Sequence, residues 1–174
     1  QSTFPNTKII YRPHPWRQGT DSISKFSLRH VIVDKQLRES YFKQDFSENI
    51  QPEISYYPQL LQNAEFVTGG LTSMVIEATI FRQPFIALVH EDDSPVTTPK
   101  NIYKNFTHFR EIDQMRNIIF CNSLSSIKKS FIEASEQKLT NTNETIDSDR
   151  MYFYHYNNKE YCDNLNAICY EILG

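Results

Sequence analysis

The stretch that most constrains this chain is residues 66–89, FVTGGLTSMVIEATIFRQPFIALV. Glu65-Phe66-Val67-Thr68 is a compact run that stops at Gly69-Gly70, the pattern of a strand closed by a turn. Leu71, Met74, Val75 and Ala78 then recur at helical spacing, so the next segment is predicted to be a helix with one buried face. Phe85-Ile86-Ala87-Leu88-Val89 is nearly continuous in apolar residues, as expected of a parallel strand covered on both faces. Strand, helix and strand in this order make a βαβ unit, whose crossover is almost always right-handed. A short polar helix beginning at Tyr56 precedes it, with Leu60 and Leu61 on its apolar side.

The flanking sequence repeats the alternation. Lys8-Ile9-Ile10-Tyr11, Val31-Ile32-Val33 and Asn117 to Cys121 read as strands, and Ile54 as the start of another. Residues 100–115 read as mostly helical, with Tyr103, Phe106 and Phe109 packing over a sheet edge. Ser123 is a candidate cap for a helix to Ser135, with Leu124, Ile127, Phe131 and Ile132 inward. Residues 135–150 read as a polar linker. The aromatic run Met151 to Tyr156 then leads to a C-terminal helix over about 157–173, striped by Tyr161, Leu165, Ile168, Cys169 and Ile172. The fold class predicted is α/β: a Rossmann-like, doubly wound, mostly parallel sheet with helices on both faces. At 174 residues, the prior is one domain spanning 1–174.

Charge and cysteine use narrow the function. A net charge of -3 without a basic run argues against nucleic-acid binding, which needs a surface of lysine and arginine. No segment approaches the roughly 20 apolar residues of a membrane span. Gln1-Ser2-Thr3 lacks the basic start and apolar core of a signal peptide, and a start without Met reads as a piece of a longer protein. Three cysteines cannot all pair with one another. Cys162 and Cys169 lie seven residues apart in a helical pattern, roughly 10 Å along its axis and too far to bridge. With Cys121 they read as buried thiols in a reducing, cytoplasmic setting. The sequons at Asn105 and Asn143 then carry no glycan.

Chemistry enters at the glycine turn. Gly69 and Gly70 can let a ligand approach backbone N–H groups, and Thr72 and Ser73 add hydroxyls where the helix begins. Glu77 lies four residues beyond Ser73, on the same helical face, placed to accept both hydroxyls of a ribose. The plainer alternative makes Thr72 an N-cap and Glu77 a solvated side chain. At the end of the first strand, Arg12-Pro13-His14-Pro15 holds a cation and a histidine in a rigid loop. Open α/β sheets bind ligands at the carboxyl ends of their strands, so Arg12 and His14 suit an anion there. A proline-rich surface turn is the alternative. His90-Glu91-Asp92-Asp93 reads as a solvated acidic loop, and no spacing resembles a metal site.

Together, Tyr11-Arg12-Pro13-His14-Pro15 and AEFVTGGLTSMVIEATIFRQPFIAL resemble the C-terminal half of a GT-B glycosyltransferase. The branch most like it holds bacterial sialyltransferases, CDP-glycerol transferases and related capsule enzymes. There an HP dipeptide and a paired Ser/Thr grip the nucleotide's phosphate, matching His14-Pro15 and Thr72-Ser73. Glu77-Ala78 followed by Gln83-Pro84-Phe85-Ile86 is similar to the segment whose Glu holds the ribose, although Arg82 stands where that pattern has glycine. The resemblance covers about residues 8–135. It implies a metal-independent donor half without a cofactor of its own, taking a nucleotide-activated sugar or a CDP-linked donor. Arg12 and His14 would stabilise the leaving phosphate. A missing N-terminal domain would hold the acceptor, a surface glycan or polymer, and the longer protein would sit peripherally at the inner face of the membrane. Two other readings remain open: an isomerase like the sugar-nucleotide 2-epimerases, and a non-catalytic partner-binding domain.

Overall fold

A computed structural model of the chain describes residues 7–12, 30–38, 55–90, 99–109, 111–140 and 149. In chain order the elements are β1 (Ile9–Tyr11), β2 (Val31–Val33), α1 (Tyr56–Gln62), β3 (Val67–Gly69), α2 (Met74–Ile80), β4 (Phe85–Leu88) and α3 (Pro99–Asn105). Single 3-10 turns at Thr107–Phe109 and Ile112–Gln114 lead to β5 (Ile118–Cys121), and another at Leu124–Ser126 leads to α4 (Ile127–Thr140). The chain divides into two compact units, Gln1–Tyr57 and Pro58–Gly174. Ile54, His14, the 151–156 aromatics and the C-terminal helix predicted over about 157–173 lie outside the described residues.

The fold is α/β, and every described strand pair is parallel. Where the sequence pattern predicts one continuous sheet, the described strands form two ladders: β1-β2 in the first unit and β3-β4-β5 in the second. The alternation of apolar and polar segments specifies parallel strands with crossovers. It carries no information on which strand sits beside which.

β4 is the middle strand of the second ladder, and its apolar run follows from that place. Phe85 and Ala87 pack on one face with Val75 and Ala78 of α2, and with Phe109, Ile112 and Met115 from beyond α3. Ile86 packs on the other face with Ala134 of α4, Ile119 and Cys121. Phe85, Ile86 and Ala87 are fully buried. Full burial of a side chain such as Phe or Ile contributes about 1.5–3 kcal/mol, so β4 anchors both faces at once. The same alternation runs through β5, where Ile118 and Phe120 face α2 while Ile119 and Cys121 face α4. Phe66, just ahead of β3, joins the α4 side through its ring, 5.0 Å from that of Phe131. Helices therefore cover both faces of this ladder.

Local signals set the ends of α2. Val75 and Ala78 turn inward as the 3.6-residue period requires, with Leu71 buried just ahead of them. At the other end Arg82 adopts φ 59°, the left-handed conformation. Its N–H bonds Thr79 O at 3.0 Å, and the Gln83 N–H bonds Ala78 O at 2.8 Å. That is the Schellman closure, a position glycine usually fills, and Pro84 follows it. The place where Arg82 replaces the expected glycine is thus one where the backbone asks for glycine.

Two expectations about α4 need correction. Leu124, predicted inward, is 69% exposed. It belongs to the 3-10 turn ahead of the helix, where Ser126 Oγ donates to Ser123 O at 2.8 Å, so the apolar stripe starts at Ile127 instead. Ser123 occupies the cap position, but its hydroxyl pairs with Ser125 Oγ at 3.0 Å and not with a backbone N–H. Beyond Ser135 the helix runs on to Thr140, into the stretch predicted as linker. Polar side chains tie that end to the loops entering all three strands. Ser135 bonds Glu65, Gln137 bonds Arg116 O, and Lys138 bonds Ala64 O and, at 2.8 Å, Gln83 Oε1. A sequence pattern of apolar residues does not register such polar ties.

At the amino end of β5, Asp149 is buried and accepts N–H groups of Asn117 at 2.8 Å and Arg116 at 3.2 Å. Asn117 Nδ2 donates to Thr79 Oγ1, which in turn donates to Val75 O, each at 2.8 Å. In the first unit, by contrast, Ile9, Ile10 and Ile32 stay 45–47% exposed.

Candidate functional site

The carboxyl end of the second ladder is built by register. Gly69 pairs with Ala87, and Ala87 with Phe120, so the three chains leave the ladder side by side. β3 runs into the turn Gly69 to Ser73, β4 into Val89-His90, and β5 into Asn122-Ser123. The last ladder bond there is Val89 N–H to Cys121 O, 3.0 Å. Cys121 itself is a buried thiol, 3.3 Å from Ser123 O and 3.4 Å from Ser126 Oγ.

Gly69, Gly70, Thr72, Ser73 and Glu77 come together at the β3–α2 junction. Neither glycine adopts a positive φ, and a Cβ added to either would meet nothing within 4 Å. The chain's own fold therefore leaves open space over the turn and makes no demand for glycine there. Thr72 and Ser73 are exposed. Ser73, not Thr72, holds the cap position of α2; Thr72 Oγ1 accepts the Met74 N–H at 3.3 Å, while its own hydroxyl proton can still be given away. Ser73 O accepts the Glu77 N–H at 3.3 Å, which puts Glu77 one turn into the helix.

Two buried polar atoms at this end have no hydrogen-bond partner among the described residues: Glu77 Oε2 and His90 Nδ1. A buried polar atom left unpaired costs about 1–3 kcal/mol, so a ligand or water has reason to sit against each. Asn117 Oδ1 is similarly orphaned, but it lies at the opposite, amino end of β5. No three His, Cys, Asp or Glu side chains converge as a metal set among the described residues, and no helix there is long and apolar enough to cross a membrane.

The other half of the predicted site belongs to the first unit. Tyr11 and Val33 are paired, so Arg12 and Asp34 emerge together from β1 and β2. Arg12 Nη1 donates to Asp34 Oδ2 at 2.8 Å and approaches Gln36 Oε1 at 3.5 Å. Its guanidinium also lies over the Tyr57 ring, 4.8 Å from the centroid. The Asp34 side chain is fully buried and accepts the Gln36 N–H at 2.8 Å. Burial pushes the Tyr56 hydroxyl above its ordinary value, reinforced by the Asp34 carboxylate and opposed by Arg12. Lys35 stacks over the Tyr56 ring at 4.2 Å. Arg12 thus neutralises a buried carboxylate, a task the sequence did not disclose. Truncating one member of such a pair typically costs 3–5 kcal/mol.

No family model, curated protein or solved structure matches this chain. Sequence reasoning passed over Asp34 and placed His90 in a solvated acidic loop, whereas its Nδ1 is buried. Each directly follows an apolar strand, the one place in an α/β chain where a polar side chain reaches the ligand end of the sheet.

Proposed function

We propose that the second unit binds the nucleotide of an activated donor at the carboxyl end of its three-stranded ladder. The protein is then the donor-binding half of a GT-B-type glycosyltransferase or glycerophosphotransferase. It passes a sugar or glycerophosphate group to a surface glycan or polymer held by a further domain. The setting is cytoplasmic, with the longer protein at the inner membrane face. One observation supports this reading above the rest. At the β3–α2 junction an unobstructed glycine turn and two exposed hydroxyls adjoin a glutamate whose Oε2 is buried without a partner among the described residues.

In this reading the phosphates lie over Gly69 and Gly70, with Thr72 and Ser73 donating to their oxygens. Glu77 takes the ribose, because a carboxylate beside phosphates is repelled whereas vicinal hydroxyls offer it two donors. Charge building on the leaving phosphate is offset by these hydroxyls and the turn's N–H groups.

Calorimetric titration with CDP, UDP, GDP and CMP tests it. At least one should bind the wild-type chain, and Glu77→Gln should weaken that binding by about 1.5–3 kcal/mol while leaving inorganic phosphate unaffected. Equal binding of the 2′-deoxy and ribo forms would remove Glu77 from the sugar. If none of the four binds, the donor-site reading falls and a non-catalytic partner-binding domain takes its place.

A further inference from the structure

We propose that His90 is a second-strand contact of the same nucleotide site, its Nδ1–H donating to a phosphate oxygen of the donor. This rests on the donor-site reading and extends it to a residue that reading does not use. The register carries the placement. β3 ends at Gly69, paired with Ala87, so the turn that carries Thr72 and the residue His90 follow neighbouring strands at the same end of the ladder. Adjacent strands lie roughly 4.8 Å apart, so a diphosphate over the β3 turn extends naturally across the end of β4.

The second observation is independent of the register. His90 Nδ1 is shut off from solvent, yet no described residue bonds it. A neutral imidazole carries one N–H, and the tautomer with the proton on Nδ1 supplies the donor that a phosphate oxygen needs. His90 binds and orients.

The test uses the full chain, the same four nucleotides, and three variants: His90→Ala, His90→Asn and His90→Gln. An Asn amide nitrogen reaches the place of Nδ1, and a Gln amide nitrogen that of Nε2. For whichever nucleotide binds wild type, His90→Ala and His90→Gln should each weaken affinity by about tenfold or more, and His90→Asn by less than about threefold. Affinity for the corresponding nucleoside, which has no phosphate, should be equal in all four proteins. A merely structural histidine would shift nucleotide and nucleoside together. Wild-type binding with an unchanged His90→Ala variant overturns the proposal and leaves the donor site standing. Retention in His90→Gln with loss in His90→Asn, or equal loss in both, overturns the Nδ1 contact. If His90→Ala fails to fold, the Asn and Gln pair decides the matter alone. No nucleotide binding by wild type defeats the donor-site reading itself.

Discussion

Arg82 holds a left-handed backbone that costs a non-glycine residue roughly 1–2 kcal/mol. Arg82→Gly is therefore expected to raise stability by about 1 kcal/mol, part of the relief being offset by the entropy glycine adds to the unfolded chain. Urea unfolding measures this, and a variant less stable than wild type would show that the Arg82 side chain contributes more than its backbone costs. Gly70 presents the opposite case. It has an ordinary φ and empty space around it, so Gly70→Ala should change stability by less than about 1 kcal/mol. A ligand lying on the turn would meet the new methyl group. The variant should therefore melt like wild type and bind nucleotide more weakly, whereas full retention of affinity would place the ligand elsewhere. Asp34 and Arg12 teach a related lesson: a cation at a strand end has a carboxylate beside it, and that partner came from 22 residues away.

At the scale of elements, α4 is held to its ladder by two kinds of contact. Ile127, Phe131 and Ala134 pack against the sheet face, and Ser135, Gln137 and Lys138 grip the loops at the amino edge. The Lys138 ammonium is pushed below the usual lysine range, chiefly by burial, with Glu65 acting in the opposite direction. An unfolded lysine titrates near 10.5, so between the folded value and 10.5 the unfolded chain binds the extra proton. Stability from this group therefore rises with pH across the window just below 10.5. Relative to a Lys138→Met variant, wild type should gain stability as pH rises through the window just below 10.5. Parallel urea titrations would read this directly, and a difference that stays flat across that range would sink it. Tyr103 acts with the opposite sign. Its hydroxyl is raised above 10.0 by burial and then by Asp113, so its contribution is full below 10.0 and is lost as pH climbs through the folded value. The Lys138→Met comparison cancels it, because both proteins carry it.

For the whole molecule, protection is expected to follow the burial of the two ladders. β4 has a strand on each side and a core cluster on each face, whereas among the described residues β1 and β2 have one partner each and expose Ile9, Ile10 and Ile32. Opening free energies scale with such burial. In native-state hydrogen exchange the amides of Phe85 to Leu88 should be the slowest and should report global unfolding. Those of Ile9 to Tyr11 should exchange through smaller, local openings. Equal protection in the two ladders would mean that both units unfold as one.

Much of the second unit was legible in the sequence because its signals are local. The glycine pair, the helical stripe of Leu71, Val75 and Ala78, and the run Phe85 to Val89 lie within one βαβ unit and turn up as β3, α2 and β4. Periodicity follows from backbone geometry, so it can be read without knowing what the apolar face touches. The boundary at Leu124, the length of α4 and the division into two ladders were not legible. Each depends on which distant group satisfies a polar atom or lies beside a strand: Ala64 and Gln83 for Lys138, Asp34 for Arg12, β5 for β4. The sequence by itself determined that this chain makes parallel strands with helical crossovers and a glycine turn at a strand's carboxyl end. The tertiary structure decided that Arg12 answers a buried Asp34 and that Glu77 and His90 each keep a buried atom without a partner among the described residues. The reason is physical. Hydrophobic pattern is a property of neighbouring residues, while charge pairing and hydrogen-bond satisfaction are properties of groups that only folding brings together.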